Sequence, residues 1–144
     1  MAKLGTFAAA LALGISAAGC LGDDSSMNLP RGFPAELAPR DARLVGCSTR
    51  YSPVCWFLVS GDSRRTYLGI ARQTRGAGWG RFRHVRALGS DVLVAWKGRY
   101  EIHVDVSPAG ARVSPDKDVP GLPQHVPAGE GLVFISYGRA EDGM

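Results

Sequence analysis

The sequence predicts an α+β domain: an antiparallel sheet of about five to six strands with one main helix packed on one face, after an N-terminal signal helix. Three observations carry that expectation. Short segments alternate apolar and polar residues with the period of a half-buried strand, most clearly YEIHVDV at 100–106. Only GDSRRTYLGIARQTRGAGW (61–79) repeats its apolar positions at three and four. Nineteen glycines and nine prolines in 144 residues supply frequent turns, as short elements require.

The first element is an address. In MAKLGTFAAALALGISAAG, Lys3 gives a basic start, Leu4 to Ala18 carries no charge, and small residues close the run. That is the pattern of a secretory signal, residues 1–19. The apolar run falls short of the roughly 20 residues that span a bilayer, and Asp23 and Asp24 follow soon after. Two cuts fit. Ser16 and Ala18 suit an ordinary signal peptidase, which would leave Cys20 as an exposed free thiol. Alternatively, Ala17-Ala18-Gly19-Cys20 resembles the lipobox of bacterial lipoproteins. Ala18, Gly19 and Cys20 match its usual pattern, and Ala17 stands where leucine is commonest. The resemblance implies that Cys20 carries a thioether-linked diacylglyceryl group, with acyl chains of the palmitate class, and begins the mature chain. Two acyl chains suffice for stable anchoring, at about 0.8 kcal/mol per buried CH₂. Leu21 is not the aspartate that resembles an inner-membrane retention signal. The implied location is therefore the cell envelope: the outer membrane in a two-membrane host, otherwise the outer face of the cell membrane.

Residues 20–41 read as a lipid-anchored tether (CLGDDSSMN) and a Pro-rich lead-in (LPRGFPAELAPRDA), with Leu29, Phe33 and Leu37 free to dock on a core. One α+β domain is expected over 42–138, and 139–144 form a tail. Cys47 and Cys55 remain after Cys20 is assigned. Exported chains keep disulfides, so the pair reads as a bridge across the base of a hairpin. Two reduced, buried cysteines are the alternative. Strands are expected at 43–48, 54–60, 82–88, 92–96, 99–107 and 131–137. The helix is capped by Asp62 or Ser63, buries Tyr67, Ile70, Ala71 and Thr74, and ends at Gly76 or Gly78. Residues 108–130 read as a long Pro-rich loop. LPRGFPAEL, the hairpin, one helix and then AGW together resemble small exported lipoproteins of unknown function, over residues 29 to about 107. That resemblance implies an α+β domain and no activity.

Charge is the most distinctive functional signal. Between Ser63 and Ser90 lie seven arginines (64, 65, 72, 75, 81, 83 and 86) and His84, with no acid. Such a concentration attracts anions. Arg64, Arg65, Arg72 and Arg75 could share the solvent side of the helix, with Arg81 and Arg83 beside them, facing an anionic envelope polymer or a protein partner. An arginine-rich coding bias and an ordinary solvated helix face give the same count. Nucleic acid is not the expected partner, because an exported, lipid-anchored protein seldom meets it.

Catalytic signals are weaker. Glu101, His103 and Asp105 alternate on one strand face, and His with carboxylates is suitable zinc chemistry; a solvated strand face looks the same. Ser114 and Lys117 have the serine–lysine spacing of penicillin-binding enzymes, but Pro115 and Pro120 place them in a loop. GAGWG (76–80) runs helix–glycines–strand, the reverse of a dinucleotide loop. His84, His103 and His125 nominate no Ser/His/Asp set. The expected function is therefore non-catalytic contact by a membrane-anchored lipoprotein, with no cofactor. The alternative is a small periplasmic enzyme or metal-binding protein using Glu101, His103 and Asp105.

Overall fold

A computed structural model describes residues 27–140. The expected signal helix, Cys20 and the end of the expected tail lie outside them. The described chain is α+β: six strands in one antiparallel sheet with a single α-helix packed on it.

Strands β1 (Ala42–Ser48) and β2 (Val54–Ser60) form the first hairpin. Helix α1 (Ser63–Gly76) follows, then β3 (Gly80–Ala87), β4 (Ser90–Lys97), β5 (Tyr100–Ser107) and β6 (Glu130–Arg139). The strand order is β1-β2-β6-β5-β4-β3. Helix α1 thus carries the chain across the whole sheet to the far edge, and β6 returns to close the centre. Strand β2 has its expected limits, β5 starts one residue late, β3 is shifted toward the helix, and β1, β4 and β6 run beyond expectation; β6 takes in Arg139 from the expected tail, pairing it with Tyr100.

The helix face is the one that the spacing predicts: Tyr67, Ile70, Ala71 and Thr74 are its buried residues. The Asp62 side chain accepts from the Arg64 N–H at 2.8 Å and caps the start. At the other end the Gly78 N–H donates to the Arg75 carbonyl and the Trp79 N–H to the Thr74 carbonyl. Gly78 sits at φ +95°, the left-handed position of a Schellman stop. The Lys97 Nζ donates to the Ala77 carbonyl at 2.7 Å, completing the C-terminal cap.

The alternation of β5 sorts the two faces. Ile102, Val104 and Val106 join Phe57, Leu93, Val133 and Ile135 under the helix. Phe33 and Leu37 of the lead-in are buried in the same cluster, as expected, and Ala35–Leu37 form a single 3₁₀ turn. Gln73 Nε2 clamps that lead-in by donating to the carbonyls of Glu36 (2.9 Å) and Ala38 (2.6 Å). On the opposite face, Trp56, Leu58 and Leu132 pack with Val119 and Val126 of the 108–130 segment. That segment is a cover rather than a bare connection, packed on the sheet through Val119 and Val126 and closed on itself by an Arg112–His125 bridge.

Cys47 and Cys55 are directly opposed across β1 and β2 and joined by a disulfide, with Cα atoms 4.1 Å apart.

Candidate functional site

The arginine-rich segment runs through α1 and β3, so its geometry is set by how the helix flank meets the edge of the sheet. Two arginines, Arg64 and Arg65, occupy the first helical turn, and no acid accompanies them there. The helix macrodipole disfavours cations at that end by about 0.3–1 kcal/mol each. Arg64 is compensated. Its Nη1 lies 3.2 Å from Oδ1 of Asp91, and its guanidinium sits 5.7 Å from the Tyr67 ring centre. Asp91 is only 4% exposed, and the same Oδ1 meets Nε2 of His84 at 2.9 Å. His84 in turn lies against Tyr67, ring centres 4.8 Å apart. Burial first, and then the Asp91 carboxylate, hold the Tyr67 phenol above its ordinary pKa.

Arg75 also folds back, with its guanidinium 4.5 Å from the centre of the Phe82 ring. Arg64, Arg65, Arg72 and Arg75 are all exposed on the helix, as expected of its solvent side. Arg64 and Arg75 lie along the flank that meets β3, where a carboxylate and an aromatic ring attract them. Arg81 and Arg83 do not join them. Arg83 pairs across the sheet with Val94, which alternates with the helix-facing Leu93 and Ala95, and so points to the opposite face. Arg81 sits at φ +51° in a bulge of β3, and its guanidinium lies 5.7 Å from the Trp96 ring centre, also on that face. The cations form a rim wrapped around the edge strand rather than one flat face. Among the described residues, Arg64 alone of the seven makes an ion pair with a carboxylate.

A groove of about 720 Å³ runs along the outer flank of α1, where Arg72 and Arg40 meet Thr66 and the side-chain-free positions Gly69 and Gly76; Glu36 contributes a carboxylate to its wall.

Glu101, His103 and Asp105 share a strand face as expected but do not converge. Glu101 accepts from Trp96 Nε1 at 2.7 Å and is hydrogen-bonded to His103 Nε2. Asp105 accepts from Ser107 at 3.3 Å, and burial pushes its carboxyl above the usual range. Among the described residues no three His, Cys, Asp or Glu side chains are grouped to hold a metal ion. The expected metal-binding trio is therefore corrected to a Trp96–Glu101–His103 network and a separate Asp105–Ser107 pair.

Two surface features escaped the sequence reading. Leu88 is fully exposed, and Val85 is 47% exposed, both beside the arginines of β3. The available signal was a leucine immediately before Gly89, between two alternating segments, where a polar turn residue is the norm.

No protein-family model, curated protein or solved structure matches this chain.

Proposed function

We propose that the protein is a lipid-anchored envelope protein that acts by contact, using the arginine rim of α1 and β3 to engage an anionic component of the envelope. The observation that carries this reading is the charge segregation. Seven arginines and no acid lie between Ser63 and Ser90, and among the described residues Arg64 alone of those seven has a carboxylate partner. Cations without internal partners keep their field available to an external anion. The Ala17–Cys20 motif supports the anchored half of the reading, since attachment at Cys20 would hold the rim near the membrane surface.

The two halves are tested separately. Intact mass of the membrane-fraction protein reads the anchor: a chain starting at Cys20 with a diacylglyceryl addition supports it, and a lipid-free chain starting at Gly19 defeats it. For the rim, Arg64, Arg65, Arg72 and Arg75 are changed together to Gln and retention on immobilised anionic envelope polymer is compared with the unaltered protein. Loss of retention supports contact through the rim. Unchanged retention sinks it.

A further inference from the structure

The β3–β4 hairpin ends in a two-residue turn closed by the Ala87–Ser90 pair. Both central residues have positive φ: Leu88 at +51° and Gly89 at +84°. That is the type I′ pattern, which favours Asn, Asp or Gly at its first position. Leucine there is a poor choice on two counts. A side chain at positive φ is strained, and Leu88 is fully exposed to water. Nothing in the fold is gained by it, because the side chain touches neither core cluster.

The surroundings say what would favour it. Val85, two pairs back from the turn, is 47% exposed, and Ala87 is exposed beside it. Arg83 and Arg86 project from the same strand on opposite faces, since Arg83 pairs with Val94 and Arg86 with Asp91. Arg64 stands at this end of the domain too, because it reaches Asp91. An apolar tip ringed by cations matches a bilayer of anionic phospholipid: the apolar residues enter the interface and the guanidinium groups meet phosphates.

We infer that the β3–β4 hairpin is a membrane-docking tip that inserts Leu88 into the interface of an anionic phospholipid bilayer, with Arg83 and Arg86 on the head groups. This deepens the contact reading above and rests on its basic rim, but not on the lipid at Cys20. It is compatible with that lipid.

The test uses the unlipidated chain 21–144, which keeps both core clusters. It is sedimented with vesicles of equal parts phosphatidylglycerol and phosphatidylcholine, and with phosphatidylcholine alone. The expected result is binding to the anionic vesicles only. Leu88→Asn should weaken it about 5- to 10-fold, and the Arg83→Gln/Arg86→Gln double variant more than that, at roughly fivefold per charge. Asn suits a positive φ, so the Leu88→Asn melting temperature should equal or exceed that of the unaltered chain, which separates lost docking from lost folding. Equal binding of the Leu88→Asn and unaltered chains to anionic vesicles overturns the tip while leaving the rim intact. No binding to anionic vesicles, or equal binding to neutral ones, also overturns it. Neither outcome bears on lipidation, which mass alone reads.

Discussion

His84 on the edge strand and Arg64 on the helix share one acceptor, Oδ1 of the buried Asp91, at 2.9 and 3.2 Å. The carboxylate therefore ties the start of α1 to the strand at the sheet's open edge. Arg64 is half exposed, so its ion pair contributes modestly. Removing the charge still leaves His84 and Arg64 poorly matched beside a desolvated site. Asp91→Asn is expected to cost about 1–2 kcal/mol, read as a melting temperature lower by roughly 5–10 °C. A loss within measurement error would show that the shared acceptor adds nothing.

Asp105 gives a pH-dependent expectation. Burial raises its carboxyl above the ordinary value of 3.8, and hydrogen bonds from Ser107 and Ser90 oppose the shift without cancelling it. The folded state thus holds the proton more tightly than the unfolded chain. The stability this contributes is fully present below 3.8 and is lost as pH rises through the folded value. At neutral pH the protein carries the cost of a half-buried charge. Asp105→Asn removes that cost and keeps an acceptor for Ser107. Chemical denaturation should find it more stable than the unaltered protein at pH 7, with the difference shrinking toward pH 3. A difference that stays constant across that range would contradict the assignment.

What was legible in the sequence follows from how local each signal is. The helix face (Tyr67, Ile70, Ala71, Thr74), its Asp62 cap and the alternation of β5 are written in adjacent residues, and each appears as expected. The cysteine pairing was legible because two cysteines in short flanking strands must come close across one hairpin. The arginine rim was legible as a count and as an exposed helix side, but not in its partners. Arg64 finds its carboxylate in Asp91, a residue 27 positions on, and whether Arg83 lies on the same face depends on a bulge at Arg81 that no period reveals. The same holds for Glu101, His103 and Asp105. Alternation placed them on one face, but Trp96 and Ser107 decide where their polar atoms turn.

The 108–130 segment acts as a cover, and Gly46 shows how closely. A Cβ at Gly46 would stand 2.7 Å from Cγ1 of Val119, which is 3% exposed. Gly46→Ala is expected to cost about 1–3 kcal/mol by forcing the two apart. Val119→Ala alone leaves a cavity and costs about as much. Together they should cost clearly less than their sum, because the smaller residue vacates the space that the larger one needs. A double-mutant cycle on melting data checks this, and simple additivity would show that the cover does not press on β1.

The disulfide closes a short ring, so its entropic contribution is moderate, about 2.5 kcal/mol. Cys47→Ala/Cys55→Ala should lower the melting temperature by roughly 10 °C. Reductant should bring the unaltered protein to the same value. A larger drop in the variant than in the reduced protein would point to packing by Cys55, which is fully buried, rather than to the cross-link.

Arg65 offers the sharpest separation of stability from contact. With Asp62 as N-cap, Arg65 occupies the third helical position, where a glutamate can reach back to the N-cap N–H and also suits the positive end of the helix dipole. Arginine there does neither, and among the described residues it has no carboxylate partner. Arg65→Glu is therefore expected to raise stability by about 0.5–1.5 kcal/mol. If the rim serves anion contact, the same change reverses one of its charges and should weaken retention on an anionic surface several-fold, most strongly at low salt. A variant that is more stable and binds less well would show that this position trades helix stability for charge. One that is more stable and binds unchanged would remove Arg65 from the contact and confine it to the β3 side of the rim.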